Sequence, residues 1–209
     1  MYLRKNYWNL ILVGKWNKHI LTPDWVATNL FREQAIEVKF PLSFDAPPIY
    51  ASTSKKIQFE PSEVRVNFMA LEYKNEVLLD IEAMGYTLLE TLRYTPMIAF
   101  GVNFNFIEQK NTDILKLFRL NDNDMVNELG VEIKETSFTR KIEIEGKTLH
   151  LRVANIDQTV EFDFNFHFSV KTANEAMEKL KGSVIPCKEL SERIMHQVYN
   201  LEYDETEES

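Results

Sequence analysis

From Val160 to Val170 apolar and polar residues alternate without a break: Val160, Phe162, Phe164, Phe166, Phe168 and Val170 against Glu161, Asp163, Asn165, His167 and Ser169. Successive side chains of a strand point to opposite faces, so this segment has one buried face and one wet face. That division belongs to an antiparallel sheet covered on one side only. A parallel sheet, covered on both faces, would show continuous apolar runs instead.

Other segments fit beside it. Ile98, Phe100, Val102, Phe104 and Phe106 share one face over 97–107, with Asn103 and Asn105 on the other. The turn Glu145-Gly146-Lys147 joins a strand over 131–145 to one that points Leu149, Leu151 and Val153 inward. Upstream, the spacing predicts strands at 7–13, at Ile57 and Phe59, and at Val64, Val66 and Phe68. It predicts another over Ile36, Val38, Phe40, Leu42 and Phe44.

Helical spacing sets in at 73–93, where Val77, Ile81, Met84, Leu88 and Leu92 form a stripe. Gly85 weakens this helix by about 1 kcal/mol relative to Ala, which points to a close crossing with the sheet. Thr22 caps a shorter helix, with Pro23 at its first position and Asp24 at the positive end of the dipole. Short helices are expected near 112–119 and 122–129. Two more close the chain, at 172–181 and 187–201, the last with Leu190, Ile194, Val198 and Leu201 on its apolar side.

Strands and helices thus occur in separate runs. The expectation is an α+β fold: a curved, mostly antiparallel sheet with long helices packed on one face, and a strand-strand-helix layout used twice. One domain over 1–201 is expected, with halves at 1–110 and 111–201. Residues 202–209, with Glu202, Asp204, Glu205, Glu207 and Glu208, read as an acidic disordered tail.

Composition narrows the function classes. Cys187 is the only cysteine, so neither an intrachain disulfide nor a cysteine zinc site can form. It follows Pro186 at an expected helix start, where a dipole lowers a thiol pKa; the alternative is a packed, inert side chain. The apolar run from Trp8 to Val13 is short and leads straight into Lys15, so it reads as a strand rather than a leader. These features point to the cytoplasm. The formal net charge of −8 argues against a broad nucleic-acid surface. Asn121-Asp122-Asn123-Asp124 lacks the glycine and spacing of a calcium loop and reads as a helix cap. No cofactor and no metal are expected.

Two constellations stand out. Pro23-Asp24, followed at Glu37-Val38-Lys39, resembles the core signature of the PD-(D/E)xK nucleases. The resemblance implies that Asp24 and Glu37 hold a divalent metal and that Lys39 positions or activates water. The competing reading is that Thr22-Pro23-Asp24 is simply a helix start. Glu-x-Lys also recurs at Glu72, Glu108, Glu132 and Glu145.

The second constellation is Lys15, Trp16, Asn17, Lys18 and His19, close to Trp8 and Trp25. A polar loop with cations and indole rings suits a binding surface. His150 and His167 are expected on one polar sheet face with Glu161 and Asp163.

The favoured function is therefore a non-enzymatic interaction protein: an adaptor, accessory subunit or inhibitor acting through sheet and loop surfaces. Its partner is a protein, with a second copy of the chain among the candidates, and not a membrane or a nucleic acid. One alternative is the metal-dependent nuclease. Another is an acidic nucleic-acid mimic, in which Glu161, Asp163 and Glu143 form a phosphate-like row.

Overall fold

The computed structural model describes residues 2–3, 7–41, 47–109, 112–118, 123–157 and 159–201. The first run of elements is β1 (Tyr2–Leu3), β2 (Asn9–Gly14), α1 (Pro23–Val26) with a π-helical continuation Ala27–Phe31, β3 (Glu37–Lys39), β4 (Ile49–Ser52), β5 (Ile57–Pro61), β6 (Arg65–Ala70) and α2 (Asn75–Thr91). The second run is β7 (Met97–Gln109), α3 (Thr112–Leu115) with a 3-10 turn Lys116–Phe118, α4 (Asn123–Glu128), β8 (Glu135–Ile144), β9 (Lys147–Ile156), β10 (Thr159–Ser169), α5 (Ala173–Leu180) and α6 (Val184–Tyr199).

The described strands join one open sheet in the order β3-β4-β5-β6-β2-β7-β10-β9-β8, with β1 pairing β7 beyond the end of β2. The pairings are antiparallel throughout. The layout is used twice. In the first half β2 leads through a short helix to the meander β3–β6, which returns beside β2 and feeds α2. In the second half β7 leads through α3 and α4 to the meander β8–β10, which returns beside β7 and feeds α5 and α6. The two opening strands, β2 and β7, pair at the centre. The second run of the layout opens with β7, after α2 ends at Thr91.

One difference between the halves matters later. Strand β8 corresponds to β4, whose outer edge pairs with β3; among the described residues no strand pairs with the outer edge of β8.

The core lies between one sheet face and the helices. Phe100, Phe104, Phe106, Phe162, Phe164 and Phe166 are fully buried there, with Leu10 and Leu12 of β2. Cross-strand neighbours interlock: Phe100 stacks on Phe168 at 4.3 Å and Phe106 meets Phe164 edge-on at 5.6 Å.

The strand expected over 36–44 is shorter than its alternation promised. Among the described residues of that segment only Glu37–Lys39 pair, and Phe40 is 79% exposed. Pro41 cannot donate to a ladder, which ends the strand. Leu42, Phe44 and the acidic tail 202–209 lie outside the described residues.

Helix α6 starts three residues before its expected position of 187, at Val184. Pro186 sits in the first turn, where an N–H has no intrahelical partner to lose. The face turned inward carries Val184, Cys187, Ser191, Met195 and Tyr199, while Val198 is 59% exposed. The small side chains of Cys187 and Ser191 let the helix backbone approach the core. Leu190 and Ile194 pack at its flanks. Burial pushes the Cys187 thiol up to about 11, so the structure favours the inert cysteine over the reactive one.

Candidate binding groove and the open face of the sheet

After β2 the register against β7 shifts at Val13/Gly14 and the chain leaves the sheet. The following loop is pinned on two sides by backbone hydrogen bonds. Gly14 N donates to Val64 O at 3.0 Å and Trp16 N to Glu63 O at 2.8 Å, both in the β5–β6 turn. Lys15 N donates to Pro96 O at 2.9 Å, just before β7. Asn17 shapes the rest: its Oδ1 accepts from His19 N at 3.1 Å and its carbonyl from Ile20 N at 3.0 Å.

These bonds assemble an open groove of about 500 Å³, lined by Lys15, Trp16, Asn17, Lys18, His19, Glu63 and Val64. All five residues singled out in the sequence border it. Lys15, Asn17, Lys18 and His19 are exposed. The Trp16 ring is only 4% exposed and its Nε1 donates to Leu12 O at 3.2 Å. Trp16 thus forms the floor and is no stacking platform. Val64, 67% exposed, gives the rim an apolar spot. Trp8 is buried as well and packs on Tyr73 at 4.7 Å.

Lys18 Nζ lies 2.8 Å from Glu63 Oε1. That hydrogen bond, with the lysine's charge, holds the Glu63 carboxyl below its ordinary pKa. Glu63 and Val64 were not legible from the sequence. They enter through a turn remote along the chain, and nothing in their local pattern announces it.

The nuclease-like residues lie elsewhere. Asp24 is the second residue of α1, whose Thr22 cap accepts from Trp25 N at 3.3 Å. Glu37 and Lys39 stand on β3, the short strand at one edge of the sheet, with Lys39 Nζ 3.6 Å from Glu37 Oε2. The lysine thus neighbours the carboxylate of its own strand. Among the described residues no group of three or more His, Cys, Asp or Glu is placed to hold a metal ion.

The sheet face away from the helices carries an amide ladder. Asn103 Nδ2 donates to Asn9 Oδ1 and Asn165 Nδ2 to Asn103 Oδ1, each at 2.6 Å, across β2, β7 and β10. One step along, Asn105 donates to Asp163, which also accepts from Arg152 Nη1 at 3.1 Å. Arg152 pairs in turn with Glu135. A depression of about 240 Å³ lies here, bordered by Tyr7, Asn9, Asn103, Asn105, Asp163 and Asn165. His150 and His167 occupy the same face on neighbouring strands. Glu161 is buried, and Glu143 accepts from Thr148 at 2.9 Å and pairs with Lys141 at 2.9 Å.

No family model matches the chain. No curated protein matches it either. Solved structures similar to it include Methanococcus jannaschii TBP, 12% identical, with 90% of this chain and 99% of that chain covered and a TM-score of 0.32. A likeness of that size carries no argument about function. No helix among the described residues is long and apolar enough to cross a membrane.

Proposed function

We propose that this protein is a non-enzymatic interaction protein, an adaptor, accessory subunit or inhibitor, whose loop groove takes an acidic segment of a cytoplasmic partner protein. One observation carries the reading: Lys15, Lys18 and His19 converge with exposed Val64 over a Trp16 floor. On a chain of net charge −8 the groove sets two lysines side by side, Lys18 held by Glu63 at 2.8 Å and Lys15 facing the opening. Opposite charge steers an acidic segment to it, and an apolar side chain of that segment covers Val64. The loop is held by backbone hydrogen bonds on both flanks, so docking needs little ordering of the groove itself.

The groove is open, so its charges act through water and are screened within about 8 Å at physiological salt. Binding should therefore be modest and salt-sensitive. The test is calorimetry with acidic peptides that carry one aliphatic residue, against the intact chain and Lys15→Glu. Lys15→Glu is expected to weaken binding about tenfold, as loss of one favourable charge and gain of an unfavourable one implies. Equal binding by both proteins would end the reading.

A further inference from the structure

The two edges of the sheet are built differently. Strand β3 closes one edge with three residues, two of them charged. Strand β8 closes the other with ten, paired to β9 over its whole length without a bulge. A short, charged strand blunts an edge, whereas a long regular one is a template for another strand. In the first half of the fold the corresponding strand, β4, already has β3 along its outer side. Among the described residues β8 has no such neighbour.

The sequence of β8 suits a second copy of itself. Turn one β8 onto another about a two-fold axis at Phe138, and Glu135 faces Lys141, Thr136 faces Arg140, Ser137 faces Thr139 and Phe138 faces Phe138. Each unlike pair occurs twice. Moving the axis to Thr139 sets Glu135 against Glu143, and moving it to Arg140 sets that guanidinium against its own copy. The Phe138 register avoids both like-charge contacts. It also extends ion pairs already present. Arg152 pairs with Glu135, and Lys141 lies 2.9 Å from Glu143, all four on the open face. Across the axis they form a run of alternating charge: Arg152, Glu135, then the second copy's Lys141 and Glu143.

We propose that the chain forms a two-fold dimer through β8, joining two sheets edge to edge in the Phe138 register. This surface is separate from the groove, so either proposal can fail alone.

Sedimentation of the intact chain tests it. The wild type is expected to dimerise by about 100 μM, as mass action requires of a modest edge contact. Glu135→Lys places two lysine pairs across the axis, and Lys141→Glu places two glutamate pairs there. Each variant alone should dimerise about tenfold more weakly. Mixed together, the two variants restore both opposite-charge pairs and should recover wild-type association, a result that misfolding cannot mimic. A monomeric wild type, or a mixture no better than its components, would overturn the proposal.

Discussion

Gly85 of α2 rests against Leu10 of β2: a Cβ at position 85 would stand 2.6 Å from Leu10 Cδ2, and 3.2 Å from Leu180 Cδ2. The glycine costs the helix propensity, yet it lets α2 lie on the central strand of the sheet. Both leucines are fully buried, so they have little room to retreat.

Substitution at Gly85 therefore sets two effects against each other. Gly85→Ala gains about 1 kcal/mol of helix propensity, and overpacking costs about 1–3 kcal/mol. A net loss of up to about 2 kcal/mol is expected for Ala, and a larger loss for the β-branched Gly85→Val. Urea unfolding checks the order wild type, Ala, Val. A stabilised Gly85→Val would show that the crossing is looser than the contacts indicate.

Glu82 secures the start of α6 from another helix. Its Oε1 accepts from Gly182 N at 2.7 Å and its Oε2 from Val184 N at 3.0 Å. Removing it leaves two helix-start donors without their acceptor, so Glu82→Ala should lose about 1–3 kcal/mol. Glu82→Gln, which keeps one acceptor, should lose less. Hydrogen exchange at Gly182 and Val184 should quicken in both variants.

Cys187 supplies a prediction in pH. Burial raises its thiol from an ordinary 9.0 to about 11, only partly offset by the nearby Lys147 charge. The unfolded chain releases this proton near pH 9, and the folded chain holds it to about pH 11. Stability from this group is full below the unfolded value and is lost as pH climbs through the folded one. Between those limits wild type should lose on the order of 2–3 kcal/mol more than Cys187→Ala. At neutral pH the thiol should resist alkylation until the protein is unfolded. Rapid labelling of the native chain would contradict this.

Much of the fold was legible because it is written locally. The alternation from Val160 to Val170 marked β10, and the stripe from Val77 to Leu88 marked α2 with its glycine crossing. What stayed hidden depends on partners far along the chain. Nothing local says that β2 and β7 pair at the centre, or that Glu82 caps a helix a hundred residues away. The inward face of α6 was misjudged because size was weighed over fit: Cys187 and Ser191 face the core, and Val198 faces water. At the groove, the loop composition drew attention to Lys15–His19. The turn at Glu63 and Val64 completes the groove through backbone hydrogen bonds, which leave no trace in residue type.

The account turns on the groove as the place where a partner docks. Hydrogen exchange of the intact chain, with and without a saturating acidic peptide, tests it most directly. Protection gathered at residues 15–20 and 62–65, and fading as salt is raised, is the predicted result. Peptide-dependent protection on β3, β8 or the amide ladder instead, with the Lys15–His19 loop unchanged, would contradict it.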